Sequence, residues 1–360
     1  MKVKSLTTTQ LNMINYKVIK FVLLITSIFF ISSTTEEPNP RVFVFTDINI
    51  DAGDPDDRQS LIHLLWYADE LEVTGIVPDR WNAQGYEASV LAVEAYADDY
   101  DQFHFRGKGY PEPDQIRNLI ARDRDHAAEL FREAASVAED PLYVLIWGNM
   151  NLFSEILNRY SELADNIRVI SIGTGLMYPD HEEYAPENWP RGAPCALKNW
   201  NGPGRSAVWD NPRFNDMWWL EINWTYNGMF SGDEPKEMFD KLSEYGALGQ
   251  HMVDVTKNEP WARYFRVGDT PSVLYVIDPG LNLDDPTQSS WAGKFRNALP
   301  EERPDYYADH NGDAEWDYAD PCNTWENHQQ VYNHARNTLE KERPGMYRDL
   351  LKKMDKLYQK

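Results

Sequence analysis

Short apolar runs alternate with stretches of helical periodicity along the first half of the chain. The run 41–46 predicts a β-strand, and the segment 58–69 predicts an amphipathic helix with Leu61, Leu64 and Leu65 on one side. Further strands are expected at 73–77, 142–146 and 168–172, and further helices at 88–96, 126–138 and from about 152. This alternation is typical of an α/β fold with a mostly parallel central sheet and helices on both faces.

Two later segments break this pattern. Between 177 and 214 the chain is rich in Pro, Gly, Asn and Trp, which predicts a long loop. A loop of that length inside a compact domain is usually functional, as a lid or as a wall of a site. Residues 327–359 are polar and favour helix, so we expect a C-terminal helical extension that packs outside the sheet.

The N-terminus has the three parts of a secretory signal. Four lysines precede the apolar run 21–31, and small residues follow it. The run is too short for a convincing membrane span, although an uncleaved anchor is the alternative. We therefore expect a signal peptide over 1–35, a secreted or periplasmic protein without stable membrane insertion, and a single domain over 36–360.

The charge of the chain limits the classes of partner that it can bind, and its cysteines limit the disulfides that it can form. The chain has 58 acidic and 35 basic residues and a net charge of -23, which argues against a nucleic-acid polymer, because phosphate binding needs concentrated positive charge. A neutral small molecule or a glycan fits better. Cys195 and Cys322 permit one disulfide, but their spacing does not show that they meet. Nothing in the sequence indicates an oligomeric state.

Carboxylates are concentrated after the first predicted strand. Asp47 follows the strand, Asp51 and Asp54 lie in the loop, and Asp56 and Asp57 precede the first helix. The carboxyl ends of strands are where open α/β sheets place ligands. Clustered carboxylates repel one another, and a bound cation relieves the repulsion; oxygen ligands favour calcium or magnesium. Capping of the helix accounts for one or two acids but not for four in so short a loop.

These residues resemble a known family. The strand with 46–47 and 55–61 is similar to the opening of the nucleoside hydrolase superfamily, in its branch of cellulose-binding-type, nucleoside-hydrolase-like domains. Three later segments resemble the superfamily in the same order: 147–152, 220–223 and 268–272. The resemblance covers about 41–290, and it implies a nucleoside-hydrolase-like fold.

The resemblance also implies an activity, namely calcium-dependent hydrolysis of a glycosidic bond, N-ribosyl or related. Such a reaction passes through an oxocarbenium-like state and needs an activated water, a carboxylate base and contacts to the sugar hydroxyls. The implied calcium ligands are Asp47, Asp57, Asp269 and the backbone carbonyl of Asn151. The implied base is Asp47 or Asp51. The implied substrate contacts are Asp56, Glu221 and Asn223 at hydroxyl groups and Trp81 and Asn82 in a stacking wall.

The sequence also departs from the superfamily. The loop between Asp47 and Asp57 is longer than usual, so Asn49 and Asp54 remain alternatives to Asp51. The segment after Ile76 lacks the Gly-Asn that the superfamily usually offers to the sugar. The alternative function is therefore a glycan-binding or cellulose-binding protein without turnover on the same fold. A third is a structural or interaction protein whose acids serve solubility.

Two smaller alternatives concern other polar residues. Residues 309–320 carry oxygen side chains at the spacing of a compact calcium loop but lack its glycine, so a structural calcium site and a plain acidic turn are both open. Glu221 and Asn223 are alternatively a polar pair at a sheet edge.

Overall fold

A seven-stranded sheet is the centre of the computed structural model, which describes residues 38–50, 54–137, 140–176, 202–258, 260–318 and 328–359. Its strands are β1 (Arg41–Thr46), β2 (Glu72–Pro78), β3 (Leu142–Trp147), β4 (Ile167–Ile172), β5 (Trp218–Ile222), β6 (Phe295–Leu299) and β7 (Arg303–Asp309). The strand order is β2-β1-β3-β4-β5-β7-β6. All neighbours are parallel except β6 and β7, which are antiparallel.

Ten α-helices lie within these described residues. They are α1 (Asp56–Trp66), α2 (Gly85–Gln102), α3 (Pro113–Asn118), α4 (Arg124–Ala135), α5 (Asn151–Arg159), α6 (Gly204–Trp209), α7 (Glu234–Leu242), α8 (Gly246–Asp254), α9 (Pro271–Ile277) and α10 (Gln329–Leu357). Short 3-10 segments include Trp81–Ala83 and Thr225–Met229.

Helices cover both faces of the sheet. In β1, Val42 and Val44 belong to one buried cluster, which includes side chains of α1, α2, α9 and α10. Phe43 and Phe45 point to the other face, where they pack with Phe131 of α4 and with other buried side chains of α4, α5 and α6. Each face buries apolar side chains, so successive strand residues are apolar without alternation. The predicted fold class is confirmed.

The predicted elements agree with the structure more closely in the strands than in the helices. The strand predicted at 41–46 is found with those bounds, whereas the helix predicted over 58–69 begins at Asp56 and ends at Trp66. Pro55 is the N-cap residue, and its carbonyl accepts a 2.9 Å hydrogen bond from the Gln59 N–H, which closes the first helical turn. The predicted loop 177–214 contains α6 in its described part, and 177–201 lie outside the described residues.

Several predictions concern residues outside the part of the chain that the structure describes. The signal peptide over 1–35, Asp51, Cys195 and Cys322 are among them, so export, the second candidate base and the disulfide stay predictions. Residues Asn39–Lys360 form one compact unit. Among the helices described, none has the length and apolar character needed to cross a bilayer.

The long helix α10 is more than a polar extension. Nine of its residues are buried, including Leu339, Met346, Leu350 and Met354. These side chains join the buried cluster that Val42 and Val44 enter. The helix therefore completes one face of the core.

The strand order creates a crevice beside β1. The chain passes from β1 to β2 on one side, and β3 then lies on the other side of β1. Asp47, just after β1, donates its backbone N–H to the Trp147 carbonyl at the end of β3 at 3.3 Å. Such a change of direction is where open α/β sheets bind ligands, outside the carboxyl ends of the strands.

Candidate metal and ligand site

A cavity of about 330 Å³ opens at this end of the sheet. Two arginines, Arg80 and Arg266, line it together with five aspartates: Asp47, Asp54, Asp56, Asp57 and Asp269. The aspartates outnumber the arginines, so the cavity offers carboxylate oxygens that these arginines do not pair, and it suits a ligand that brings positive charge or comes with a cation.

Asp56 and Asp57 stand in the first turn of α1. The N-cap residue is Pro55, which has no side-chain donor or acceptor, and the N–H groups of Asp56 and Asp57 are accepted by Asp54 Oδ1 at 3.3 Å and Asp56 Oδ1 at 3.1 Å. Asp57 instead accepts a hydrogen bond from the Thr46 hydroxyl at the end of β1. The capping alternative therefore does not account for the orientation of Asp57, which is tied to the sheet.

Asp269 reaches the same place from a distant part of the chain. Its carbonyl accepts a 2.7 Å hydrogen bond from the Ser272 hydroxyl, which in turn accepts a 2.8 Å bond from the Trp147 indole N–H. The next residue, Thr270, hydrogen-bonds His63 of α1 at 3.2 Å. These contacts fix Asp269 between β3 and α1.

One carboxylate oxygen from each of Asp56, Asp57 and Asp269 lies within 4.8 Å of the others. Burial, together with neighbouring aspartates, raises the pKa of Asp56 to about 8. Burial and the neighbouring carboxylates also raise the pKa of Asp57 and the pKa of Asp269 well above their usual range. The three carboxylates therefore resist ionising together in the absence of a cation.

The donor set fits a hard divalent cation. All three side chains offer oxygen, which calcium and magnesium prefer. Asp269 is only 6 % exposed, and its Oδ2 atom has no hydrogen-bond partner among the described residues. A buried carboxylate oxygen without a donor is costly unless a cation or water satisfies it.

Asp47 is placed differently. Its Oδ2 atom forms an ion pair with Arg80, whose side chain is 50 % exposed. Gly148, after β3, has φ +95, and a Cβ added there would lie 2.7 Å from Asp47 Oδ1. Asp47 thus lies against a glycine on one side and an arginine on the other.

Arg266 forms the second ion pair of the cavity. Its Nε and Nη2 atoms donate to the two oxygens of Asp54 at 2.5 and 2.6 Å. The guanidinium carbon lies 4.3 Å from the ring centre of Phe230 and 5.4 Å from that of Trp261. These arginines thus pair with Asp47 and Asp54, and among the residues that the structure describes no ion pair involves Asp56, Asp57 or Asp269.

Glu221 lies away from this cavity. It is fully buried, and its carboxylate accepts hydrogen bonds from Arg205, Tyr306 and Thr174. The charge on Arg205 and these hydrogen bonds lower the pKa of Glu221 although burial opposes ionisation. The carboxylate is therefore engaged by protein groups, and Glu221 is not among the cavity-lining residues.

The other predicted substrate contacts and Asn151, the predicted calcium ligand, are also outside the lining. Asn223 accepts a 2.9 Å hydrogen bond from the Gly175 N–H, and the backbone carbonyl of Asn151 accepts one from the Ser154 hydroxyl at 2.8 Å. Trp81 donates its indole N–H to the Ala121 carbonyl at 2.9 Å, and Asn82 is exposed. The structure brings together Asp47, Asp56, Asp57 and Asp269 but not these four.

Residues 309–320 begin at the buried end of β7 rather than in an open loop. Asp309 accepts backbone N–H groups of Asn223, Trp224 and Thr225. Its oxygens are therefore occupied by the protein, which favours the acidic-turn alternative at this residue; Ala319 and Asp320 lie outside the description.

The model of one family, described as "Cellulose-binding Sde182, nucleoside hydrolase-like domain", matches residues 41–295. The chain belongs to this family. The match includes β1 to β5 and all of the cavity-lining acids, and the family resemblance expected from the sequence is confirmed. Comparison with curated proteins finds no match.

Two solved structures are similar to this chain. A nucleoside hydrolase-related protein from Saccharophagus degradans, associated with carbohydrate metabolism, has a TM-score of 0.57 and 18 % identity over 89 % of this chain and 72 % of its own. An inosine-uridine preferring nucleoside hydrolase from Bacillus anthracis has a TM-score of 0.44 and 15 % identity over 84 % of this chain and 100 % of its own. The first of these supports a nucleoside-hydrolase-like fold.

One wall of the cavity was not expected from the sequence. Tyr226, Asn227 and Phe230 line it, and all three lie in or beside the 3-10 segment Thr225–Met229. The sequence feature that could have indicated them is their position, a few residues beyond the family-like segment 220–223, at the carboxyl end of β5. The match to the Cellulose-binding Sde182, nucleoside hydrolase-like family covers this wall. It ends before β7 and α10, and both of these elements contact the wall.

Proposed function

We propose that the protein is a calcium-dependent hydrolase of a glycosidic bond, N-ribosyl or related. The observation that carries the proposal is the three-carboxylate cluster of Asp56, Asp57 and Asp269, open to a cavity at the crevice beside β1. Family membership supports the same proposal, although fold alone does not supply a reaction.

Asp57 and Asp269 would hold the cation, with Asp47 close enough to line the same cavity. When bound, calcium would polarise a water molecule and vicinal sugar hydroxyls. Asp56, partly exposed to the cavity, is the residue proposed to accept a hydrogen bond from a sugar hydroxyl.

Asp47 is the proposed base among the described residues. A base must reach the proton it takes, and Asp47 now faces Arg80. Because half of the Arg80 side chain is exposed, it can swing towards solvent and free Asp47 Oδ2 without disturbing the core. Asp51 remains the predicted alternative.

A second candidate function is carbohydrate binding without turnover. The Asp47–Arg80 ion pair favours it, because the guanidinium contacts the Asp47 oxygen that would have to reach the attacking water. In this case the acids and the cation would bind hydroxyl groups, and no water would attack.

Calorimetry and an activity assay test both candidates. Wild type, Asp57→Asn and the exposed control Asp98→Asn are titrated with calcium, then with ribose and with cello-oligosaccharides, with and without calcium. Hydrolysis of inosine and uridine is followed in parallel. We expect calcium binding in wild type and Asp98→Asn but not in Asp57→Asn, and hydrolysis only where calcium binds.

Two results would contradict the hydrolase. Unchanged calcium binding in Asp57→Asn would remove the proposed metal site. Ligand binding without hydrolysis would leave the second candidate. If wild type is active, Asp47→Asn decides the base: we expect kcat to fall by about 10²–10⁴-fold with ribose binding retained.

A further inference from the structure

The cavity wall formed by Tyr226, Asn227 and Phe230 is held by two residues from beyond the family match. One is Asp309 at the end of β7, and the other is Arg343 in α10. Both are buried, at 1 % and 5 % exposure. Charged side chains are rarely buried unless they are paired and hydrogen-bonded, so the partners of each show what the burial achieves.

Asp309 binds the start of the wall. Its Oδ2 atom accepts the N–H groups of Asn223 and Trp224, both at 2.8 Å. Its Oδ1 atom accepts the Thr225 hydroxyl at 2.5 Å and the Thr225 N–H at 3.3 Å. One carboxylate thus fixes three successive residues as the chain leaves β5.

Arg343 binds the end of the wall. Its Nη1 atom donates to the Gly228 carbonyl at 2.6 Å and to the Ser231 hydroxyl at 3.1 Å. Its Nε and Nη2 atoms donate to Glu234 Oε2 at 2.9 and 2.6 Å, which compensates the charge. The guanidinium therefore spans the segment from Gly228 to the first turn of α7.

The packing between these anchors leaves little room for movement. A Cβ added to Gly228 would lie 2.7 Å from the Arg336 carbonyl and 2.9 Å from Leu339 Cβ. The wall backbone therefore rests directly on α10. On its other side, Tyr226, Asn227 and Phe230 face the cavity that holds the carboxylate cluster.

We infer that Asp309 and Arg343 are positioning residues for ligand binding, which hold the segment 223–231 so that Tyr226, Asn227 and Phe230 form one wall of the cavity. The ligand part of this inference rests on the proposed function, whereas the bracing of the wall does not. The C-terminal segment beyond 295 therefore contributes to the site. Without it, the family-matched region lacks both residues that hold the wall in place.

The test compares Arg343→Met and Arg343→Lys with Arg348→Met, an exposed arginine of the same helix. Amide hydrogen exchange is measured for 225–230 and for β1 and β3. Calcium and ribose titrations follow, the second at saturating calcium. We expect faster exchange at 225–230 in Arg343→Met with β1, β3 and calcium affinity unchanged, and ribose affinity lower by about 10–100-fold.

Arg343→Lys keeps the charge but loses the planar fork, so we expect an intermediate effect. Exchange at 225–230 equal to that of Arg348→Met would overturn the bracing. Equal acceleration in β1 and β3, or a parallel loss of calcium affinity, would overturn the positioning role and leave a general structural one. If wild type with calcium binds no ribose, the proposed function fails, and the exchange pattern still decides the bracing.

Discussion

Glu221 and Arg205 form a buried ion pair in which Nε and Nη2 of the guanidinium each donate a 2.9 Å hydrogen bond to the carboxylate. Their side chains are 0 % and 5 % exposed. Burial of this kind makes each charge dependent on the other, because neither has water to replace its partner.

We predict that Arg205→Met lowers the free energy of unfolding by about 3–5 kcal/mol, since it leaves Glu221 without its counter-charge. Urea unfolding at pH 7 measures the loss. Arg213→Met is the control, because Arg213 pairs with Asp165 at the surface, where solvent screens the pair. Similar losses in the two variants would contradict the prediction.

The same pair predicts a dependence on acid. Arg205 and the other donors hold the pKa of Glu221 below its ordinary 4.5, against the effect of burial. The contribution of Glu221 to stability is therefore present above pH 4.5 and is lost as the pH falls through its folded pKa. Glu221→Gln is expected to show a smaller loss of unfolding free energy than wild type when the pH is lowered from 6 to about 3. An equal loss in both proteins would contradict this assignment.

Asp57→Asn is predicted to stabilise the calcium-free protein. The substitution removes one of three carboxylates whose oxygens lie within 4.8 Å of one another. We expect Tm in a chelator to rise, by about 2–4 °C for each kcal/mol of repulsion removed. With calcium in excess the order reverses, because only wild type gains binding energy. A lower Tm in the chelator would show that the cluster is not under electrostatic strain.

The pH dependence of the calcium-free protein follows from Asp56. Its pKa is raised from 3.8 to about 8, so the folded protein holds this proton more tightly than the unfolded chain does. Its contribution to stability is fully present below pH 3.8 and is lost as the pH rises through about 8. We predict that calcium raises Tm more at pH 8 than at pH 5.

Differential scanning calorimetry with calcium and with a chelator measures this difference. Asp56→Asn separates the effect from the general repulsion of an acidic chain, since its Tm in the chelator should fall less between pH 5 and pH 8 than that of wild type. A parallel fall in both proteins would exclude Asp56 as the titrating group.

The strands could be predicted because their burial leaves a local pattern. Residues 41–46 are apolar on both faces except for Arg41 and Thr46, and helices cover both faces as expected. Helix ends depend on weaker signals. The first helix begins two residues earlier than predicted, with Pro55 as its N-cap residue.

The residues of the site also fall into those that could be predicted from the sequence and those that could not. Asp56 and Asp57 are close in sequence and could be grouped from it, while Asp269 was grouped with them only through the family resemblance. The partners of charged residues carry no local pattern: Arg80 pairs with Asp47 across 33 positions, and Asp309 bonds Asn223 across 86. The sequence therefore indicated where the acids lie but not which of them the protein itself neutralises.

The last prediction concerns Gly148, which contacts the side chain of Asp47. A Cβ at this position would lie 2.7 Å from Asp47 Oδ1, and φ is +95. Alanine there meets two penalties, the backbone strain and the contact with the carboxylate. We expect Gly148→Ala to cost about 1–3 kcal/mol of stability and to shift Asp47.

Gly280→Ala separates the two penalties. Gly280 also has positive φ, +84, but a Cβ there meets nothing within 4 Å. Urea unfolding and calcium calorimetry are therefore run on both variants. If Asp47 contributes to the metal site, only Gly148→Ala loses calcium affinity, while both lose stability. Unchanged calcium affinity in Gly148→Ala would place Asp47 outside the metal's ligands and leave it to act, if at all, on the substrate.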